Sequence, residues 1–220
     1  MGDLIYQIAS WLVPLVIAIV FHEVAHGLVA NMLGDPTAAE RGRLSFNPIK
    51  HVDPVGTVGL PLLLAVSGAP IFGWAKPVPV DFRRLRNPRL DMVLVALAGP
   101  GMNFFLATLA VIGLKFAGFT PYAAIEDQGF LIANLFNFLL INLFLAVFNL
   151  IPLPPFDGGH VVEGALPRSA LPQYQKIARY GFPIMIVLVV VLPMISPQLS
   201  IVRQIVAPIV TGILILFLGG

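Results

Sequence analysis

The residues most able to do chemistry stand close together near the start of the chain, in the segment FHEVAHG. His22 and His26 are four residues apart, so on a helix both imidazoles lie on one face, one turn apart. That spacing lets two imidazoles bind one zinc ion at about 2.0–2.1 Å. Glu23 follows the first histidine too closely to share its direction, and it can act as general base on a water activated at the metal. The segment therefore predicts a zinc-dependent hydrolase.

The composition places this segment in a membrane. Of the 220 residues 58% are hydrophobic and 11% are charged, against about 45–50% and about 25% in soluble domains. Ionisable groups in a spanning helix cost about 2.5–3.5 kcal/mol each, so three of them at metal spacing favour a functional site over snorkelling interfacial side chains. Cysteine is absent, so any metal here is bound by nitrogen and oxygen. The net charge of +2, without a basic stripe, argues against nucleic-acid binding.

A zinc site needs a third protein ligand, and the patterns of soluble gluzincins and metzincins do not supply one here. Asp157 stands out because of its surroundings, FNLIPLPPFDGG, in which prolines break a helix at membrane depth and glycines let the backbone turn. An aspartate there is costly unless a cation neutralises it. Glu163 is a further candidate, and His160 is more typical of a capping or hydrogen-bonding group. His51 and Asp53 stand in a polar loop and are typical of ordinary surface residues.

Three motifs together resemble the site-2 protease family of membrane metalloproteases. They are H-E-x-x-H at 22–26, A-G-P-x-x-N at Ala98–Asn103, and N-x-x-P-x-x-x-x-D-G from Asn149 to Gly158. The resemblance implies that His22, His26 and Asp157 bind one Zn²⁺ and that Glu23 is the catalytic base. The PDZ and CBS modules of that family have no counterpart here, so a minimal, core-only member is expected.

The same resemblance implies that Asn103 and Asn149 are polar positions near the cleft that help to hold the substrate backbone. Asn134, Asn142 and Asn149 also share one helical face, because they are eight and seven residues apart. Amides are unfavourable in lipid, so this face should look into the helix bundle or a wet cavity. Helix–helix hydrogen bonding is the favoured role for the first two, and a function in the site for Asn149.

Five apolar stretches are long enough, or nearly so, to cross a bilayer, which takes roughly 20 helical residues. They lie at about 8–33, 92–114, 131–151, 181–195 and 199–218. These stretches predict an all-α polytopic membrane protein with about five spanning helices and a re-entrant or extended insert after the first. One domain is expected over residues 1–220, with a catalytic core at about 8–165 and a C-terminal helical hairpin at about 180–220. The first apolar run lacks the positive start of a secretory signal and is expected to be retained.

A sixth apolar run, residues 56–74, decides which helix ends share a face of the membrane. It is interrupted by Gly59, Pro61, Gly68, Pro70 and Gly73. If the run crosses, the end of the first helix and the start of the Asp157 segment lie on opposite faces. If it dips in and returns, they share one face, and the basic loops 34–55, 75–91 and 153–180 all become cytoplasmic, as the positive-inside rule favours. We therefore predict a re-entrant run, with the N-terminus outside and the C-terminus inside.

The segment WAKPVPV, Trp74–Val80, alternates apolar residues with prolines and predicts an extended edge. A substrate unwound into a strand could add to that edge. An ordinary extended linker is the equally favoured alternative.

These observations predict an intramembrane zinc metalloprotease that hydrolyses peptide bonds within or near the transmembrane helices of other membrane proteins. Its partners would be transmembrane protein substrates and the lipid bilayer, and its oligomeric state is left open. The expected location is a prokaryotic cell membrane, as a multi-pass protein with its active site toward the cytoplasm. The alternative is a catalytically inactive zinc-binding membrane protein or a metal transporter. A transporter should carry ionisable residues along a path through several helices, whereas here they cluster at one point.

Overall fold

The computed structural model describes residues 2–67, 73–121 and 123–219. Over these residues the chain is helical and contains no β-strand, which confirms the predicted fold class. The α-helices are α1 (Gly2–Met32), α2 (Thr37–Glu40), α3 (Leu60–Ser67), α4 (Pro88–Phe116), α5 (Phe130–Asn149), α6 (Asp157–Ala165), α7 (Leu171–Ala178), α8 (Gly181–Ile186), α9 (Leu192–Ile195) and α10 (Ala207–Leu218). Short 3₁₀ turns lie at Pro48–His51, Phe82–Arg84, Ile125–Gln128 and Pro197–Leu199, and π-helical turns at Pro54–Gly59, Val187–Val191 and Val202–Val206.

Three of the five predicted spans are present as helices that are long and apolar enough to cross a membrane. They are Ile5–Met32 in α1, Pro88–Phe116 in α4 and Phe130–Asn149 in α5. Helix α7 and the helical stretch Gly181–Ile195 meet at 58° and would make a fourth span if they act as one. The stretch Val202–Leu218 is apolar but shorter. The number of crossings beyond three, and the division into a catalytic core and a C-terminal hairpin, stay predictions.

The helices α1, α4 and α5 pack against one another, and small side chains lie buried where they meet. Buried alanines of this kind are Ala18, Ala25, Ala96, Ala107 and Ala146. Lipid tails are as apolar as leucine, so helices in a membrane associate through close van der Waals packing and hydrogen bonds between helices. Small residues at these positions let the backbones approach closely enough for polar side chains of different helices to meet.

The two ends of the 56–74 insert meet at one place. The Trp74 backbone N–H donates to the Gly56 carbonyl oxygen at 3.1 Å, and the Thr57 hydroxyl donates to the Trp74 carbonyl oxygen at 2.9 Å. The two ends of the run are therefore in contact, whereas a single crossing would separate them by about 30 Å. This contact is the one expected if the run enters the membrane and returns; that the run is re-entrant stays a prediction. Its residues 68–72, with the predicted breaks Gly68 and Pro70, lie outside the described residues.

The helix break predicted from the prolines is present, since α5 ends at Asn149 and a proline-rich loop follows it; the new helix α6, which was not predicted, starts at Asp157. The two glycines after Asp157 are needed for this turn. A Cβ on Gly158 would lie 2.5 Å from the Ile151 carbonyl oxygen, and one on Gly159 would lie 2.6 Å from the Pro154 nitrogen. Real Cβ atoms essentially never approach other heavy atoms within 3.0 Å. Only glycine therefore lets α6 begin so close to the loop.

The far end of α6 is attached to α4 by an arginine. The Arg89 guanidinium donates from Nε to the Gly164 carbonyl oxygen at 3.0 Å and from Nη2 to the Leu166 carbonyl oxygen. Carbonyls at the C-terminus of a helix lack intrahelical donors, and a cation there also meets the negative end of the helix dipole. The helix that carries Asp157 is thereby fixed to one of the three long helices.

Candidate metal centre

Two imidazoles and a carboxylate converge between α1 and α6. The Nε2 atoms of His22 and His26 lie 3.0 Å apart. Asp157 Oδ2 lies 3.3 Å from His22 Nε2, and Asp157 Oδ1 lies 3.4 Å from His26 Nε2. Ligand atoms around a tetrahedral zinc ion at about 2.0–2.1 Å are about 3.3–3.4 Å from one another. Among the described residues this is the one group of three or more such side chains close enough to share an ion. The three residues predicted as zinc ligands are thus brought together.

The protonation of the two histidines follows from what their other nitrogens contact. His22 Nδ1 lies 2.6 Å from Asn103 Oδ1, and His26 Nδ1 lies 2.7 Å from the Val95 carbonyl oxygen. Both partners are oxygens that can only accept, so each Nδ1 carries the hydrogen. In the neutral imidazoles the two Nε2 atoms then present lone pairs to each other and to the Asp157 carboxylate.

A cation at this point satisfies every group that converges on it. Without one, three sets of lone pairs would repel one another in a buried site, since His22 is 6% and His26 is 9% exposed. Asp157 Oδ2 is moreover buried and accepts no hydrogen bond from the described residues. Two neutral imidazoles and a carboxylate are also a ligand set typical of catalytic zinc sites. The residues present therefore fit zinc.

Gly99 of α4 is the wall against which both imidazoles rest. A Cβ at this position would lie 2.5 Å from His22 Cε1 and 2.6 Å from His22 Nε2, with His26 Nε2 also in collision. The Gly99 position therefore lets α4 approach α1 at the level of the metal ligands, which a side chain would prevent. It belongs to the AGPGMN motif, although its contact with the histidines could not be read from the motif.

Glu23 points into the same region as the three ligands. Its Oε2 accepts a hydrogen bond of 2.7 Å from the Val78 backbone N–H, in the segment after the re-entrant insert. Within the described residues its Oε1 has no hydrogen-bond partner, so one carboxylate oxygen is held while the other can exchange a proton. This is an arrangement suited to a general base.

A cavity of about 1050 Å³ connects these groups. Its lining includes His22, Glu23, His26 and Asp157, together with a largely apolar wall from α1, α4, α5 and the segment 73–80. Of the two predicted substrate-binding residues, Asn149 lines the cavity and donates from Nδ2 to the Leu145 carbonyl oxygen at 3.0 Å. A cavity of this size and apolar character can hold a peptide segment of a transmembrane helix.

Asn103, the other predicted substrate-binding residue, has a different place. Its side chain is wholly buried and is not part of the cavity lining, and it contacts His22 from the side away from the ligand atoms. Asn142, predicted to hydrogen-bond between helices, is also wholly buried and accepts from Asn103 Nδ2 at 2.8 Å. Asn134 donates to the Phe130 carbonyl oxygen of its own helix and, within the described residues, to no other helix, so the prediction that it hydrogen-bonds between helices is wrong.

The remaining candidates do not join the ligand group. His160 and Glu163 line the cavity, with His160 Nδ1 3.8 Å from Glu163 Oε2, but neither belongs to the cluster of His22, His26 and Asp157. Asp53 accepts hydrogen bonds from the N–H groups of the following turn, the local role expected for a loop residue. The prediction that His51 is a surface residue is wrong, since it is 3% exposed. The loop folds under the segment 73–80, where the His51 carbonyl oxygen accepts the Lys76 N–H at 2.9 Å.

Several groups that shape the site were not predicted. The Val95 carbonyl oxygen and the Val78 N–H are backbone atoms, so no side-chain type marks them. In the sequence, Arg89 is one charge among several in a basic segment, and nothing marks it as a partner of α6. A glycine next to a proline inside a long apolar helix, as at Gly99, is a signal of close approach by a neighbouring element, and could have been used.

Comparison with known proteins adds an independent line of evidence. The model of peptidase family M50 matches residues 118–192, a range that contains Asp157 but not the two histidines. "Putative zinc metalloprotease YwhC" of Bacillus subtilis is 40% identical over 184 residues, which are 81% of this chain and 78% of that protein. "Putative zinc metalloprotease Rip2" of Mycolicibacterium smegmatis is 33% identical over 190 residues, 86% of this chain and 68% of that protein. No solved structure matches the chain significantly.

Proposed function

The chain belongs to peptidase family M50, the site-2 proteases, and from that membership we propose that it is an intramembrane zinc endopeptidase that cuts the transmembrane helices of other membrane proteins. It is an integral membrane protein and a zinc metalloprotease. The observation that supports the proposal is the convergence of two imidazoles and a carboxylate on one point, beside a glutamate and at the wall of a large apolar cavity.

His22, His26 and Asp157 would hold the zinc ion. When bound there, zinc supplies a Lewis acid that polarises the scissile carbonyl and lowers the pKa of water. Glu23 takes the proton of the attacking water at one carboxylate oxygen while the Val78 N–H holds the other. The same carboxyl then gives the proton to the leaving amine. The Asn149 amide lies on the cavity wall and would hydrogen-bond the backbone of an unwound substrate.

Substrate can pair with only one edge of the extended segment 73–80. On one edge, the backbone N–H groups donate to the Gly56 carbonyl oxygen from Trp74, to the His51 carbonyl oxygen from Lys76, and to the Glu23 carboxylate from Val78. Alternate residues of an extended segment face opposite edges, so the carbonyl groups of the odd-numbered residues lie on the other edge. Pro77 and Pro79 provide no N–H, so that edge offers mainly acceptors. A substrate strand added there would donate its own N–H groups.

The cleft opens toward the cytoplasm in this proposal. His22 stands ten residues before the end of α1, hence about 15 Å from that end of the helix. That end leads into the loops with Arg41, Arg43, Lys50, Lys76, Arg83, Arg84 and Arg86, and Arg89 follows in the first turn of α4. Loops so rich in arginine and lysine stay on the cytoplasmic side, and a bacterial cell membrane fits this orientation. Water would then reach the site from that side.

The decisive experiment compares wild type with Glu23→Gln in the purified full chain. The expected result is one zinc ion per chain in both proteins, and cleavage of a single-span reporter peptide in proteoliposomes by wild type alone. Glu40→Gln is the matched control, because Glu40, at the exposed end of α2, pairs with Arg84 and does not line the cavity. Cleavage by the zinc-loaded Glu23→Gln protein would refute the assignment.

A further inference from the structure

A line of buried amides runs from His22 away from the metal centre. His22 Nδ1 lies 2.6 Å from Asn103 Oδ1 on α4, and Asn103 Nδ2 donates to Asn142 Oδ1 on α5 at 2.8 Å. Asn103 Nδ2 also donates to the Ala18 carbonyl oxygen on α1 at 3.3 Å. The line therefore joins all three long helices behind one metal ligand.

The orientation of each amide is determined by its neighbour. Asn142 Nδ2 donates to the Phe138 carbonyl oxygen at 2.8 Å, which turns its Oδ1 toward Asn103. Asn103 must then present its NH₂ to that oxygen and to Ala18, which leaves only its Oδ1 for His22. A flipped Asn103 amide would turn its NH₂ group toward the Nδ1–H of His22. It would also turn its Oδ1 toward the Asn142 Oδ1 and the Ala18 carbonyl oxygen, both of which are acceptors. The backbone carbonyl of Phe138 thus sets, through two amides, which nitrogen of His22 carries the hydrogen.

The burial of this line makes the arrangement strict. Asn103 and Asn142 are both 0% exposed, and in a membrane interior no water replaces a lost hydrogen bond. An unsatisfied amide is costly in such surroundings, so the alternative orientation is strongly disfavoured. Neither amide is part of the cavity lining, so neither is placed to contact substrate.

We propose that Asn103 is a positioning residue that holds His22 in the tautomer and ring orientation needed for zinc, and that Asn142 fixes the orientation of Asn103. This gives Asn103 a role different from the substrate binding that its motif implied. The inference rests on the proposed function, since it assumes that zinc is the ion held by His22. Groups that orient a ligating histidine typically contribute about 10–100-fold to metal affinity.

The test is zinc affinity of the full chain in detergent, measured by competition with a chelator. Asn103→Leu removes the acceptor and should weaken zinc binding about 10–100-fold. Asn103→Asp keeps an acceptor for the His22 Nδ1–H and should recover most of that affinity. It also removes the donor to Asn142 and Ala18, so its thermal stability should stay low. Rescue of affinity without rescue of stability is a result that a merely structural role would not produce.

Asn137→Leu is the matched control. Asn137 lies on the same helix as Asn142, is 7% exposed, and donates from Nδ2 to the Ser10 carbonyl oxygen of α1 at 2.9 Å. Its loss removes a buried amide hydrogen bond between α5 and α1 without touching a histidine, so stability should fall and zinc affinity should not. Substitution of Co²⁺ for zinc gives a second readout, because its visible spectrum should change in Asn103→Leu and not in Asn137→Leu.

Two failures are distinguishable. If wild type holds no stoichiometric zinc, the proposed metal centre is wrong. If wild type holds zinc and Asn103→Leu binds it as tightly as wild type, or as tightly as Asn137→Leu, the positioning role is wrong. The proposed function then still stands.

Discussion

Replacing Gly99 by alanine tests whether the metal centre depends on the close approach of α4 to α1. The added methyl group would lie 2.5 Å from His22 Cε1 and 2.6 Å from His22 Nε2. Carbon atoms in contact prefer separations of about 3.5–4.0 Å, so the imidazole or the helix must move by about 1 Å. The imidazoles cannot retreat freely, because movement away from α4 would stretch their hydrogen bonds to Asn103 and to the Val95 carbonyl oxygen on that same helix.

The expected loss follows from that displacement. Overpacking a core by a methyl group costs about 1–3 kcal/mol of stability. A ligand atom displaced by about 1 Å no longer meets zinc at its usual 2.0–2.1 Å, so we expect zinc affinity to fall at least as far as for loss of an orienting group, about 10–100-fold. Cleavage should fall with it.

Gly101→Ala is the matched control, since Gly101 lies on the same helix and a Cβ there would meet nothing within 4 Å. Alanine is favoured over glycine inside a helix by roughly 0.5–1 kcal/mol, so this variant should be as stable as wild type or more so. The measurements are zinc retention against a chelator, thermal unfolding in detergent, and cleavage of a transmembrane reporter. Wild-type zinc affinity in Gly99→Ala would refute the packing described for the site.

Two further variants probe what holds the other groups in place. Arg89→Met keeps an unbranched side chain but loses the hydrogen bonds to the Gly164 and Leu166 carbonyl oxygens, so the position of Asp157 should loosen. Zinc affinity, measured by chelator competition, should then fall several-fold. Arg83 is an exposed partner of Asp81, so the control Arg83→Met should leave zinc affinity unchanged. Val78→Pro removes the N–H that holds Glu23, and because a hydrogen bond to a charged group contributes about 1.5–3 kcal/mol, turnover should fall roughly tenfold or more. Zinc content should stay at one per chain in that variant, and zinc loss there would contradict the separation of base from ligands.

The ligands could be predicted from sequence because each carries a local signal. His22 and His26 share a helix face by spacing alone, and Asp157 is marked by the three prolines and two glycines crowded around it within eight residues. The partner of Asn103 could not be predicted, because it depends on the rotation and crossing of α4 against α1. The burial of His51 was missed for a related reason, since a polar loop that folds under another segment has the same sequence as one in water. Non-local packing, rather than residue chemistry, is what the sequence leaves out.

The structure divides the residues around the cavity into two groups that should fail differently. His22 is held from α4 through Asn103, His26 by the Val95 carbonyl oxygen of α4, and Asp157 sits on a helix attached to α4 by Arg89. Helix α4 thus positions every proposed ligand while supplying none, so variants of its residues Arg89, Gly99 and Asn103 should share one phenotype, weaker zinc binding. Glu23 is held instead by the segment after the re-entrant insert, and Asn149 by its own helix. Variants of that second set should keep zinc and lose turnover, because the proposed base and the proposed substrate contact are positioned independently of the proposed metal ligands.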